Sequence, residues 1–181
     1  MNDPADAELI ASVLQRGDER AYAGLVARHQ EFLRHFLRRL TGNDHGAADD
    51  LAQEAFIRAW QKLETYRGDS AWRSWLCGIG YRLFLARARR REPLDGAEEL
   101  SPGREEAAPF SPPGLALDLE QAIALLSSAE RAAITLCFKN GFSHEEAATA
   151  LGIPLGTLKT HVFRAKEKLR RSLGERLKVE G

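Results

Sequence analysis

The stretch GFSHEEAATALGIPLGTLKTHVFRAKEKLR, residues 141–170, decides the fold, because its pattern predicts two short helices joined by a tight turn. Ser143 and Glu146 have the spacing of a capping box, in which each side chain binds a free amide of the other residue. Gly152 suits the left-handed residue that ends the first helix. A proline and a glycine shape the turn, and we expect the second helix to begin close to Thr157.

The second of these helices separates an apolar face from a basic one. Its apolar residues recur every three or four positions, and they are Leu158, Val162, Ala165, Leu169 and Leu173. The opposite face carries Thr160, Phe163, Arg164, Glu167 and Arg171, with Lys159 beside them. This arrangement is typical of a DNA-binding helix-turn-helix, whose second helix enters the major groove.

Phe163 is unusual, because an aromatic ring lies on a face that is otherwise polar. One interpretation is that the ring packs on a neighbouring helix, since aromatic side chains are mostly buried. We favour the other interpretation, a contact with a thymine methyl group or a sugar in the groove.

Charge is divided unevenly along a chain whose formal net charge is zero. Residues 159–178 hold eight Lys or Arg against two Glu, a net charge of +6. Residues 92–130 hold nine Asp or Glu against one Arg, a net charge of −8. The pair of segments indicates a basic DNA face and a separate acidic segment, although solvated helix and loop surfaces remain the alternative for each.

Strand patterns are nearly absent, so we predict an all-α fold. In the first half of the chain we expect helices at about 5–16, 18–40, 46–63 and 71–91. Residues 92–114 are rich in Pro, Gly and Glu and predict a flexible acidic linker, which reaches about 75 Å when extended. The sequence therefore predicts two small helical domains, residues 1–91 and 115–181.

Several classes of protein are disfavoured by composition. Cys77 and Cys137 lie in apolar segments, which indicates core packing in a reduced compartment, and no Cys/His spacing indicates zinc or another metal. The N-terminal stretch lacks an apolar signal core, and no apolar run is long enough to cross a bilayer. We expect a soluble cytoplasmic protein that needs no cofactor.

The predicted third helix has an exposed face with an apolar residue among polar ones. That face presents Asp50, Gln53, Glu54, Ile57 and Gln61. Such a ridge indicates a docking surface for another protein, and the alternative is an ordinary solvated face with a stray Ile57. A metal site at Asp50 and Glu54 would need a second helix of carboxylates, which the sequence lacks.

Tryptophans beside arginines precede and begin the predicted fourth helix. The segment AWRSWL, residues 71–76, follows the loop YRGDS, residues 66–70. Such aromatic residues suit stacking on unpaired bases, and the basic end of the helix suits phosphates. Trp60, Trp72 and Trp75 are equally compatible with a core position, and we expect at least one to be buried.

The order of these motifs resembles a known family. A DDxxQExF helix, a WxxWL helix ending in arginines, an acidic linker and a C-terminal GxSxxEAAxxLGxPxGTLKxHxxRAxxxLR follow one another. This order resembles the extracytoplasmic-function group of bacterial sigma factors, from about Leu9 to Leu173. The resemblance implies a protein that binds RNA polymerase core, directs it to promoter DNA, is held inactive by an anti-sigma factor, and does not itself insert into a membrane.

The resemblance also implies three sets of contact residues. The set that would dock on polymerase, at the β′ clamp helices alongside the β subunit, is Asp50, Gln53, Glu54, Ile57 and Trp60. The set that would bind the melted −10 element is Arg67, Asp69, Ser70, Trp72, Arg73, Trp75 and Arg82. The set that would read the −35 element is Thr157, Lys159, Thr160, Phe163 and Arg164.

The sequence departs from the family pattern mainly in the predicted fourth helix. Arg82 stands where an Asn is usual, and Ala86 stands where an Asp is usual. The run Cys77–Gly80 replaces the small or aromatic residues that usually precede them. In the groove helix, His161 occupies a commonly basic position.

The sequence disfavours two other functions, a conventional regulator and an enzyme. A conventional helix-turn-helix regulator predicts a stable dimer on palindromic DNA, and the exposed ridge and the linker disfavour it. A helical enzyme is disfavoured because the histidines are scattered, with no partner nucleophile and no HExxH spacing. The five histidines are His29, His35, His45, His144 and His161.

Overall fold

The computed structural model describes residues 3–91 and 115–177, and the regular elements in these two ranges are all helical. The first range contains α1 (Pro4–Arg16), α2 (Glu19–Leu40), α3 (His45–Gln61), a 3₁₀ turn (Leu63–Thr65) and α4 (Trp72–Arg91). The second contains α5 (Leu115–Ala124), α6 (Ser128–Ile134), a π-helical turn (Thr135–Lys139), α7 (His144–Leu151) and α8 (Leu155–Leu177). The predicted all-α fold of two helical domains is confirmed, whereas the predicted linker, residues 92–114, lies outside the described residues.

Side-chain caps fix where the helices begin. Asp3, Asp18 and Asp44 each accept a backbone N–H of the first turn of α1, α2 and α3. Ser127 and Ser143 form full capping boxes at the starts of α6 and α7. Each cap contributes about 1 kcal/mol, because it satisfies an amide that the helix itself cannot pair.

Two helix boundaries differ from the sequence prediction. α3 ends at Gln61, two residues early, because Lys62 leaves the helical region with φ −110° and ψ 9°. α8 begins at Leu155 rather than near Thr157. The Leu158 N–H already donates to the Pro154 carbonyl at 3.0 Å, so the first turn includes the residues of the expected loop.

The first domain is built around α2, which packs against α1, α3 and α4. Fully buried side chains of α2 supply the centre of the core, and they are Leu25, Leu33, Phe36 and Leu37. Each such side chain contributes about 1.5–3 kcal/mol when it is removed from water. Cys77 of α4 is also fully buried, as predicted, and burial raises the pKa of its thiol.

In the second domain α8 forms the spine, against which α5, α6 and α7 pack. Leu158, Val162 and Ala165 of α8 are buried, which confirms the central part of the predicted apolar stripe. Alanines of α6 and α7 are buried, and both of these short helices pack against α8.

The two domains touch each other directly. α4 packs against α7, and α2 packs against α6. Buried side chains from both domains form one continuous hydrophobic cluster.

Candidate nucleic-acid interface

The helix-turn-helix is formed by α7 and α8. At its start, the Glu146 N–H donates to Ser143 Oγ at 3.1 Å, and the Ser143 N–H donates to Glu146 Oε2 at 2.9 Å. Gly152 ends α7 in the left-handed conformation, with φ 67°. The capping box and the glycine cap predicted from the sequence are both confirmed.

The outward face of α8 carries all five residues expected to read the −35 element. These exposed residues are Thr157, Lys159, Thr160, Phe163 and Arg164. The Phe163 side chain is 66% exposed, so the interpretation in which it packs on a neighbouring helix is wrong. The Thr160 hydroxyl donates to the Gly156 carbonyl at 3.0 Å, which leaves the oxygen lone pairs of the hydroxyl available to a donor from outside.

The tryptophan cluster at the start of α4 requires a correction. Trp72 is fully buried, with its ring 5.4 Å from that of Tyr66 and 5.0 Å from that of Trp75. The predicted stacking of Trp72 on a base is therefore wrong in this arrangement, because the ring has no free face. Trp75 is half-buried and lies at the edge of the same cluster. The expectation that at least one tryptophan belongs to the core is confirmed by Trp72.

The remaining residues expected at the −10 element differ in exposure. Arg67, Asp69 and Arg82 are exposed, whereas Ser70 and Arg73 are half-buried. The Ser70 carbonyl accepts the Tyr66 hydroxyl at 2.6 Å, which ties the loop to the aromatic cluster.

The predicted docking ridge borders a groove between α2 and α3. Ile57 is 51% exposed and Trp60 is 39% exposed, so two apolar side chains, not one stray isoleucine, face outward here. The Trp60 ring lies edge-on against Tyr22 at 4.8 Å, and the Tyr22 hydroxyl donates to the Phe56 carbonyl at 2.5 Å. Burial raises the pKa of Tyr22, so its hydroxyl stays protonated as a donor.

Polar side chains rim this groove. Asp50, Gln53 and Glu54 are exposed beside it, as predicted. Glu54 accepts from Arg58 at 2.7 Å and Asp50 lies 3.7 Å from Arg87, so both acids are partly neutralised. Within residues 3–91 and 115–177, no three His, Cys, Asp or Glu side chains converge on a common point.

Two residues form contacts between the domains that no recognisable sequence motif indicates. Arg131 is buried and spans the two domains, and Phe142 is buried against the first domain. The glycines of the Cys77–Gly80 run are the one sequence feature that indicates a close helix contact. A glycine inside a helix is destabilising, so its presence there favours a position where a side chain would not fit.

Two helical domains, one with an exposed groove-reading helix, define a helix-turn-helix protein with a second interaction domain. Two family models match the chain: Sigma-70 region 2 matches residues 25–93, and Sigma-70 region 4 matches residues 116–169. The chain is 34% identical to the RNA polymerase sigma-H factor of Pseudomonas aeruginosa over 93% of both chains. It is 31% identical to the ECF RNA polymerase sigma-E factor of Escherichia coli K12, over 93% of this chain and 95% of the relative.

Solved structures show the same fold. The sigma factor RpoE of Bartonella quintana, solved in complex with the anti-sigma factor NepR, is 27% identical with a TM-score of 0.66, over 84% of this chain and 96% of that one. CnrH, solved in complex with the cytosolic domain of CnrY, is 27% identical with a TM-score of 0.69, over 94% and 98%.

The chain therefore belongs to the extracytoplasmic-function group of the sigma-70 family. The resemblance drawn from its motifs is confirmed, and with it the function of the class, which is to bind RNA polymerase core and direct it to promoters. A conventional regulator does not account for the match of the first domain to Sigma-70 region 2.

The described part of the chain contains no helix that is both long enough and apolar enough to span a membrane.

Proposed function

We propose that this chain selects promoters by docking on polymerase core through α3 while α8 reads the −35 element. The observation that carries the proposal is the outward position of apolar side chains on two separate domains, with Ile57 and Trp60 on one and Phe163 on the other. The chain acts in the cytoplasm, where polymerase works, and contributes binding rather than catalysis.

The docking surface combines an apolar centre with an acidic rim. Trp60 and Ile57 supply apolar area of the kind that dominates binding energy at the centre of an interface. Asp50 and Glu54 at the rim favour a partner surface that carries arginines or lysines. We propose that this partner is the pair of β′ clamp helices, with the β subunit alongside.

The −35 surface combines contacts to phosphates with contacts to bases. Lys159 and Arg164 provide positive charge for phosphates or guanine edges, and Thr160 provides a hydroxyl. Phe163 provides an apolar surface for a thymine methyl group. A basic helix that projects from a separate domain is the geometry of groove recognition.

The −10 surface is smaller than the sequence suggested, because Trp72 belongs to the core. Trp75 is the half-buried aromatic side chain that we assign to a melted base, and Arg67, Asp69 and Arg82 are the exposed polar residues that we assign to the same element. An aromatic side chain supplies stacking on a base, and arginines supply contacts to phosphates.

We also propose that an anti-sigma factor regulates this chain. The relative of known structure from Bartonella quintana was solved in complex with such a factor. The groove beside Trp60 offers that partner the same apolar contact area that it offers polymerase, so the two would compete.

Run-off transcription with purified core polymerase tests the proposal. We expect a promoter-dependent product only when this chain is added. The double variant Asp50→Lys and Glu54→Lys should lose core binding yet remain folded, since exposed ion pairs contribute only about 0–1 kcal/mol.

The matched control reverses two exposed acids of the same domain away from the groove, Glu8→Lys and Glu64→Lys. We expect normal core binding from this control. Equal loss of binding in both double variants would mean that net charge, not the α3 surface, governs docking. Tight specific binding to palindromic DNA without polymerase would contradict the proposal outright.

A further inference from the structure

Trp60, one of the residues assigned to polymerase docking, lies in the last turn of its helix. α3 ends at Gln61, and Lys62 already leaves the helical region of backbone angles. The end of a helix frays more readily than its middle, because its last carbonyl groups have no partner within the helix. The Trp60 side chain is also well exposed, so the core of the domain holds it only in part. A fixed orientation of this ring therefore depends on a contact from outside α3.

The contact comes from Tyr22 of α2. The Tyr22 ring lies 4.8 Å from the Trp60 ring at an interplanar angle of 69°. The Tyr22 hydroxyl donates to the Phe56 carbonyl at 2.5 Å. Phe56 lies four residues before Trp60, so this carbonyl belongs to the helical turn from which the Trp60 side chain projects. One tyrosine thus contacts both the ring of Trp60 and the backbone that carries it.

Tyr22 is itself held by the start of its own helix. Asp18 caps α2 by accepting the backbone N–H groups of Arg20 and Ala21 at 3.0 and 3.1 Å. Ala21 is buried next to Tyr22 in sequence, and Leu25 is fully buried less than one turn further on. The first turn of α2 is therefore anchored at its cap and at its core face, which gives Tyr22 a fixed base.

Tyr22 and Trp60 both line the groove between α2 and α3. This groove has a volume of about 560 Å³, and Ile57 and Val26 are among its other apolar lining residues. An exposed side chain that moves freely must lose that freedom when it docks, and the loss weakens binding. A ring that is held before docking avoids part of this loss, so a residue that restrains Trp60 increases the affinity of the surface.

We infer that Tyr22 is a positioning residue of the docking surface. Its hydroxyl ties the end of α3 to α2, and its ring holds the Trp60 ring in the orientation that polymerase receives. The inference rests on the proposed function in one respect, the role of Trp60 in docking. Tyr22 acts through Trp60, so it has no effect on docking once the tryptophan ring is removed.

The variant Tyr22→Phe tests the inference, with Tyr66→Phe as its matched control. Each loses a hydroxyl that donates to a backbone carbonyl of the first domain, at 2.5 Å for Tyr22 and at 2.6 Å for Tyr66. Both tyrosines are half-buried and lie edge-on against a tryptophan, which is Trp60 for the first and Trp72 for the second. Phenylalanine keeps the ring and its packing, so we expect both variants to fold.

Fluorine NMR of the full chain labelled with fluorotryptophan measures the first outcome, because it reports each tryptophan separately. The variant Trp60→Phe identifies the Trp60 signal by its loss. We expect Tyr22→Phe to shift or broaden the Trp60 signal and to leave those of Trp72 and Trp75 unchanged. Tyr66→Phe should do the reverse, since its ring contacts the other two tryptophans. An unchanged Trp60 signal in Tyr22→Phe would overturn the inference.

Titration of the full chain with purified core polymerase measures the second outcome. We expect Tyr22→Phe to weaken binding about threefold, the scale of ordering one side chain, and Tyr66→Phe to bind as the wild type does. Adding Tyr22→Phe to Trp60→Ala should weaken binding no further than Trp60→Ala alone, because residues that act as a unit are not additive. A further threefold loss would mean that Tyr22 contacts polymerase directly, which would overturn the inference.

The same titrations distinguish this inference from the proposed function. If Trp60→Ala binds core polymerase as the wild type does, the proposed docking surface is wrong and the inference falls with it. If Trp60→Ala weakens binding and Tyr22→Phe does not, the proposed docking surface stands and the inference alone is wrong.

Discussion

α4 and α8 each carry an aromatic side chain close to arginines, yet the two rings have opposite environments. Phe163 of α8 is exposed to solvent over two thirds of its surface, whereas Trp72 of α4 is fully buried. α8 packs against its neighbours along one side, so its other side stays free. α4 packs against α2 and α3 within its own domain and against α7 from the other domain. The sides on which neighbouring helices pack, and not the residues beside an aromatic in sequence, decide whether its ring is available.

The largest effect should come from removing the buried ring. Trp72→Ala should destabilise the chain by about 3–5 kcal/mol, because it leaves a cavity between Tyr66 and Trp75. Urea unfolding followed by circular dichroism measures the loss. Trp75→Ala, at the half-buried edge of the same cluster, serves as control and should cost clearly less. Equal costs would show that the two rings share the same environment.

Phe163→Ala should leave stability almost unchanged and reduce transcription. We expect its free energy of unfolding to change by less than about 0.5 kcal/mol, as for an exposed residue without a structural role. Run-off transcription should fall by about tenfold, a change equivalent to about 1.4 kcal/mol, because the variant loses an apolar contact with a thymine methyl group.

Phe138→Ala is the control for that measurement, since Phe138 is an exposed aromatic residue of the same domain that lies outside α8. We expect it to retain −35-dependent transcription. A similar loss in both variants would mean that exposed aromatic area in general, rather than the α8 face, supports activity.

A smaller loss of stability should follow from removing the capping serine of a helix that packs against α8. Ser143→Ala removes one half of the capping box of α7 and should cost about 1 kcal/mol. Ser127→Ala should cost more, since its partner Glu130 is buried and also accepts from Lys168 of α8 at 2.7 Å. Thermal unfolding of the two variants compares them, and an equal loss would argue against a role for Lys168.

The smallest effect is the pH dependence of the stability that Glu130 contributes. Burial alone would raise the pKa of Glu130, but hydrogen bonds from Lys168 and Ser127 outweigh burial and hold this pKa below its usual value of 4.5. The unfolded chain therefore takes up the proton first, so the stabilisation is complete above pH 4.5 and declines as the pH falls below it. Glu130→Gln should cost about 1 kcal/mol at pH 7 and progressively less under acid. A cost independent of pH would exclude the ionised pair as its source.

Features that depend on one helix alone could be predicted from the sequence. The period of Leu158, Val162 and Ala165 determines which side of α8 is buried, and the exposure of Phe163 follows from it. The capping box at Ser143 is likewise a local pattern with one structural meaning. These features depend only on residues that are close together along the chain, so one sequence is sufficient to predict them.

Contacts between residues that are distant in sequence could not be predicted. The burial of Trp72 depends on the helices that enclose α4, and the position of Arg131 depends on the end of α2 in the other domain. Neither follows from spacing along one helix. Gly78 shows the limit most clearly. A Cβ atom added there would lie 2.8 Å from the Ala150 carbonyl oxygen of α7, yet a glycine gives no indication of which backbone approaches it.

The two carboxylate oxygens of Glu146 have separate partners: Oε2 completes the cap of α7, and Oε1 points towards Arg73. The cap therefore does not depend on the first domain, so the start of α7 is fixed by residues of the second domain alone. The helix-turn-helix therefore contains its own start signal in two residues three positions apart, Ser143 and Glu146.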